Sequence, residues 1–304
     1  MHRCLGTFLV TALFIAAPLA RPAAAQTAAT VPAAEPNAPA VKVDLSLALA
    51  LPDAPGYFQR HGAVTAGDLK FRMTYGLFLP PEYFQSKDPY PLFIHLHNAG
   101  AKGLGGARLT SEGLSSYWSG DAGRGDVEND TRMNVRRSAK YIGLAPQLPT
   151  NYEWKTPPVP DALWELVCQL SHTYRIDFQR IYLTGYSYGG TNTWEVSLAL
   201  PHRFAAIVPI SGRASSPNPD QDVRQLLDTG IYLACGTADK TFLPFSEQMR
   251  DALKNARHPN FIYRTVLNGG HGCYPEIFVD RKFWEWLYAQ RRSSGPASVS
   301  GTGQ

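Results

Sequence analysis

Arg180-Ile-Tyr-Leu-Thr-Gly-Tyr-Ser187-Tyr-Gly-Gly190 decides the fold of this chain. The apolar, β-branched run from Ile181 to Thr184 predicts a short buried strand. The glycines after it predict a turn too tight for a side chain at Gly185 or Gly189. Thr191 to Leu200 carries Trp194, Val196, Leu198 and Leu200 and stops before Pro201, which predicts a helix running back from the turn. Strand, sharp turn and helix together lift Ser187 to an apex with its hydroxyl in the open, and aim the Tyr188 N–H where an oxyanion would form. Gly-x-Ser-x-Gly by itself falls by chance in roughly one chain in ten of this length. Here an Asp and a His follow at strand ends, in the order a nucleophilic serine needs.

Toward the N-terminus, Tyr90-Pro-Leu-Phe-Ile-His-Leu-His-Asn-Ala-Gly100 predicts a buried strand from Leu92 to Leu96 running into a glycine-bearing loop. In hydrolases built around a strand–turn–helix serine, the second oxyanion donor comes from the backbone after such a strand, which makes Ala99 the first candidate and Asn98 the second. His95 and His97 lie two apart, hence on one side of a strand, and offer a competing chemistry as metal ligands. His-x-His sites in metallohydrolases continue to a nearby carboxylate, but Asn98, Ala99 and Gly100 follow here. The alternative reading takes His95 as core and His97 as a brace for the loop. The glycines from Gly100 to Gly106 match neither a Walker loop nor a dinucleotide fingerprint, so no nucleotide site is expected. Phe71 to Leu79 predicts an early antiparallel strand, and the polar, aperiodic stretch from Ala107 to Arg137 a long surface excursion. Tyr141 to Ala145 predicts another buried strand, and Asp161 the cap of a helix that closes at Tyr174. Trp154, on the loop between them, and Tyr186, beside the serine, are the candidate substrate contacts.

Toward the C-terminus, Phe204 to Ile210 and Ile231 to Cys235 predict two more buried strands. The connection from Ser211 to Asp228 is too short for a large lid, so the site is expected to be open and suited to bulky or polymeric substrates. Cys235-Gly-Thr-Ala-Asp239 places a carboxylate directly after a strand, where it can orient an imidazole. Asp222 and Asp228 precede that strand and are poorer candidates. A helix over Phe245 to Leu253 and a last strand over Phe261 to Leu267 lead to Asn268-Gly-Gly-His271, a histidine among glycines with little to pack against. Glu276 to Arg292 predicts the closing helix.

The ends read differently from this body. Arg3, the apolar run from Leu5 to Ala20 and Ala23-Ala24-Ala25 predict a cleaved export signal over residues 1–25 and a secreted or periplasmic protein, with no membrane association after cleavage. Residues 26–41 predict an Ala/Pro-rich linker, 42–292 a single catalytic domain and 293–304 a disordered tail. A net charge of +4 with scattered cations implies no nucleic acid. Cleavage leaves Cys168, Cys235 and Cys273, of which Cys235 and Cys273 are placed either to bridge or to remain as buried thiols.

The order Ser187, Asp239, His271 resembles that of the α/β-hydrolase superfamily over Phe71 to Arg292. Pro91-Leu-Phe-Ile-His-Leu-His97, Ala145-Pro-Gln147, the Ser187 stretch, Pro201-His-Arg-Phe-Ala-Ala-Ile-Val-Pro209 and Gly270-His271 are similar to the secreted esterase branch. That branch holds polyhydroxybutyrate depolymerase-like proteins, feruloyl and acetyl esterases, and relatives of prolyl oligopeptidase catalytic domains. The resemblance implies an α/β fold with a mostly parallel central sheet, helices on both faces and no large lid. It also implies a serine esterase that needs no cofactor, with Ser187 as nucleophile, His271 as base, Asp239 as its orienting acid, and Tyr188 with Ala99 or Asn98 at the oxyanion. The branch usually has His-Gly where this chain has His97-Asn98, and asparagine is among the few residues that share glycine's tolerance of positive φ. A serine peptidase and a non-catalytic binding protein on the same scaffold are the other readings.

Overall fold

Side chains alternate across the central strands, and that alternation sorts the apolar residues into two cores. The computed structural model of the chain describes residues 41–45, 51–66, 68–118, 133–214 and 216–292. The expected signal, the linker as far as residue 40, and the tail lie outside the described residues. Nine strands form one sheet among them: β1 (Val41–Asp44), β2 (Gly56–Ala66), β3 (Leu69–Leu79), β4 (Tyr90–Leu96), β5 (Ile142–Gln147), β6 (Ile176–Tyr186), β7 (Ala206–Ile210), β8 (Gly230–Gly236) and β9 (Phe261–Val266). Their spatial order is β1-β2-β3-β5-β4-β6-β7-β8-β9. β1 to β3 are antiparallel and β3 pairs antiparallel with β5, while β5 to β9 run parallel.

Leu92, Ile94 and Leu96 of β4, Ile181 and Leu183 of β6, and Ile231 and Leu233 of β8 enter one core. Helices α1 (Val159–Ser171), α2 (Tyr188–Ala199), α3 (Pro219–Arg224) and α4 (Leu243–Asn255) add side chains to that core, among them Leu163, Leu166, Val167 and Leu170 at helical spacing on α1. Phe93, Tyr182 and Tyr232, the intervening residues of the same strands, enter the second core with Phe278 of α5 (Tyr274–Phe278) and with Phe283 and Leu287 of α6 (Arg281–Ala289).

Val41–Asp44 and Gly56–Ala66 are two strands beyond those expected, and three expectations are corrected. The helix expected to begin at Asp161 begins at Val159, with Asp161 in its first turn. The stretch from Ala107 to Arg137 is not a surface excursion in its described parts, because Leu109, Leu114 and Trp118 are buried. Gly143 of β5 makes room for the indole: a Cβ there would lie 2.5 Å from the Trp118 ring. The closing helix is two helices, since the Asp280 side chain accepts from Lys282 N and starts α6 afresh.

Candidate active site

Ser187 stands between β6 and α2 at φ 61° and ψ −118°, a strained conformation for a residue with a side chain. Close approach on both sides holds it there. A Cβ on Gly185 would lie 2.3 Å from the Gly189 backbone, and one on Gly189 would lie 2.2 Å from Leu96 O on β4. The elbow is pressed against the neighbouring strand, and Ser187 N donates to Ile210 O at 3.0 Å.

The loops after β8 and β9 bring Asp239 and His271 to this point. Ser187 Oγ lies 2.8 Å from His271 Nε2, and His271 Nδ1 lies 2.8 Å from Asp239 Oδ2. The other carboxylate oxygen of buried Asp239 accepts from Thr241 N at 3.2 Å and Phe242 N at 3.1 Å, which fixes the face shown to the imidazole. His271 is not the loosely held residue that its glycine neighbours imply. Phe242 stacks on the ring at 4.9 Å and 16°, and Tyr186 lies at 5.0 Å on a tilted plane. A spine of hydrogen bonds from backbone to carboxylate to imidazole to hydroxyl can take a proton from Ser187 and hold the resulting charge.

Ala99 and Tyr188 are each the first residue of a helical segment: Ala99 opens a single 3-10 turn, Ala99–Ala101, and Tyr188 opens α2. N–H groups at such positions have no carbonyl partner within their own helix. Both residues line the same cleft as Ser187, a cavity of about 420 Å³ with Arg213, Phe242 and Phe245 on its wall. Gln147, at the end of β5, fixes the first segment from beneath: its Nε2 donates to Ala101 O at 2.5 Å and its Oε1 accepts from Gly105 N at 2.7 Å.

Two site expectations fail. Asn98 has φ −74° and ψ 173°, ordinary extended backbone, so no glycine-like conformation explains it. Its amide donates to Glu112, and the cleft is lined by Ala99 instead. Trp154 is fully buried and packs on His97 at 6.0 Å, within the core and away from the cleft. Tyr186 is half-buried and wedged between His271 and Tyr274, with burial pushing its phenol up to about 12.

His95 and His97 are both buried, and burial lowers them to about 3 and about 4. His97 Nδ1 lies 2.9 Å from Asn98 O and its Nε2 accepts from Leu148 N at 3.4 Å, which makes it a brace between two loops. Among the described residues no group of three or more His, Cys, Asp or Glu side chains is placed to hold a metal. Cys235 and Cys273 are free buried thiols, 3.9 and 3.6 Å from the Ser211 hydroxyl. Sequence reading missed Thr241 and Phe242 and quoted Gln147 only within Ala145-Pro-Gln147 without a role, because the roles of all three depend on backbone direction and distant contacts.

The mostly parallel sheet, with its serine elbow after β6 and its acid and histidine loops after β8 and β9, is the α/β-hydrolase fold. Solved structures similar to it in fold include a thermostable esterase, at TM-score 0.59 and 23% identity over 77% of this chain and 63% of that one. A feruloyl esterase module from Clostridium thermocellum, complexed with sinapinate, aligns at TM-score 0.57 and 15% identity over 79% of this chain and 90% of that one. S-formylglutathione hydrolase FrmB from Staphylococcus aureus aligns at TM-score 0.55 and 14% identity over 78% and 99%. In sequence the chain is similar to the bifunctional acetylxylan esterase/xylanase XynS20E of Neocallimastix patriciarum, at 25% identity over 179 residues. That match spans 49% of this chain and only 26% of its relative. No protein-family profile matches the chain.

Proposed function

We propose that this chain is a serine esterase that cleaves carboxylic esters through an acyl-enzyme. The carrying observation is the hydrogen-bonded line from Asp239 through His271 to a Ser187 held at positive φ. His271 Nε2 takes the hydroxyl proton as Ser187 Oγ attacks the ester carbonyl, and Asp239 Oδ2 steadies the imidazolium through Nδ1–H. The N–H groups of Tyr188 and Ala99 receive the oxyanion. His271 then protonates the leaving alcohol, and water repeats the sequence on the acyl-enzyme, with no cofactor.

The esterases among the neighbours, in fold and in sequence, favour an ester over a peptide. The feruloyl and acetylxylan esterases among them make acylated polysaccharide the first substrate to test, which suits an open cleft. Residues 1–25 are read as an export signal and 42–292 as the catalytic domain, so the enzyme acts outside the cytoplasm. Among the described residues no helix is long and apolar enough to cross a membrane.

A panel of chromogenic acetyl, butyryl, octanoyl and feruloyl esters beside acetylated xylan tests the reading, with a fluorophosphonate to mark the nucleophile. Ester turnover and a label on Ser187 are expected, and Ser187→Ala should lose on the order of 10⁴-fold or more in kcat while staying folded. A folded Ser187→Ala protein that still hydrolyses the esters would overturn the assignment.

A further inference from the structure

Glu153 connects the two segments that carry the proposed oxyanion donors. It lies in the loop between β5 and α1 and reaches the wall of the cleft. Its Oε1 accepts from Lys102 Nζ at 2.5 Å, and its Oε2 accepts from the Tyr188 hydroxyl. Lys102 is the residue that closes the 3-10 turn opened by Ala99. Tyr188 is the residue after the serine, and its backbone N–H is the other donor. The three side chains form a closed group, with the Lys102 ammonium 5.6 Å from the Tyr188 ring centroid and His97 on the same ring at 5.9 Å.

Fold stability gives little reason for this arrangement. The Glu153 side chain is 45% exposed and that of Lys102 14%, and partly exposed ion pairs contribute little to stability. Catalysis supplies a reason, because two N–H groups on separate loops must meet one oxygen, and a displacement of about 1 Å can cost roughly 10²-fold in rate. The protonation states suit the purpose. Burial, together with the Glu153 bond, holds the Tyr188 phenol well above its ordinary range, so it stays a donor. Burial works to raise the Glu153 pKa, but the bonds from Lys102 and Tyr188 outweigh it and hold the carboxyl below its ordinary value.

We propose that Glu153, together with Lys102 and the Tyr188 hydroxyl, is a positioning group for the oxyanion hole, setting the spacing between the Ala99 turn and the serine elbow. The proposal rests on the serine-esterase reading above. Glu153→Gln, Tyr188→Phe and the double variant test it on a p-nitrophenyl ester and a methyl ester of the same acid. Each single variant should lose roughly 10- to 100-fold in kcat with KM within about threefold, on both esters alike, and with an unchanged melting temperature. The double variant should lose no more than the worse single one, because both remove the same link. Inactivation by a fluorophosphonate, whose adduct occupies the same hole, should slow in parallel. If Glu153 instead contacts the substrate, Glu153→Gln raises KM in a way that depends on the leaving group and Tyr188→Phe does nothing; that result overturns the proposal. So do singles with unchanged kcat, or losses that add. A wild-type protein inactive on every ester, or an active Ser187→Ala, is a separate outcome that removes the esterase reading and this proposal together.

Discussion

Asp239→Asn changes one atom at the most constrained point of the site. In the native chain Oδ1 accepts from two backbone amides, Thr241 N and Phe242 N, and Oδ2 accepts from His271 Nδ1. Asparagine must keep its oxygen on the amides, since the opposite orientation sets an NH₂ against two N–H donors. Its NH₂ then faces Nδ1 at 2.8 Å and requires an acceptor there. The imidazole responds by carrying its proton on Nε2, 2.8 Å from Ser187 Oγ, where a base is needed. An enzyme locked in the wrong tautomer loses about 10⁴ in kcat, or about 5 kcal/mol of transition-state stabilisation. The geometry is otherwise conserved, so KM and the melting temperature should stay near wild type. Steady-state hydrolysis of a p-nitrophenyl ester measures the first and a thermal melt the second. A variant within tenfold of wild type in kcat would refute the tautomer argument, because either amide orientation would then serve.

Acid should destabilise the fold through His95 and His97. Both fold neutral, so below pH 6.5 the unfolded chain binds protons that the native state refuses down to about 4 at His97 and about 3 at His95. Stability therefore falls as the pH falls across that window, by a slope that approaches about 1.4 kcal/mol per unit for each histidine once the unfolded imidazole is mostly protonated, or about 3 kcal/mol for the pair between pH 6.5 and 5. Urea unfolding of wild type and His95→Leu should show the variant's pH slope reduced by one proton, and parallel slopes would contradict the burial account. Gly189→Ala should cost about 3 kcal/mol or more, because its Cβ meets the Leu96 carbonyl rather than a movable side chain; a variant that melts with wild type would show that the elbow can relax. Denatured protein lacking residues 1–25 should titrate three thiols, with Cys273 slow to react in the native state because burial pushes it up to about 11. One thiol instead of three would mean a Cys235–Cys273 bridge.

The central sheet was legible because buried parallel strands are short apolar runs, and those at Ile181, Ile207 and Ile231 have few other readings. Ser187 and Asp239 were legible as candidates because each follows such a run, and His271 because it follows a β-rich stretch, Phe261–Val266, among glycines. β1 and β2 were not, since Gly56–Ala66 mixes Arg60, His61 and Gly62 with its apolar residues and owes its strand to pairing along β3. Trp154 was misplaced because a tryptophan on a loop reads the same whether it faces a cleft or a core. Asn98 was read through the glycine of similar chains, whereas its own amide is committed to Glu112, 14 residues away. Lys102, Glu153 and Tyr188 carry no joint signal, because their meeting depends on three separate loops.

The spacing of the three proposed catalytic side chains along the chain bears on how activity appears during folding. His271 lies 84 residues beyond Ser187 and 32 beyond Asp239, and the three come from loops after β6, β8 and β9. Contacts so remote in sequence form late, after local helices, because loop closure must come first. Ester hydrolysis thus reports the meeting of all three loops. A refolding chain should regain its helical signal while still inert.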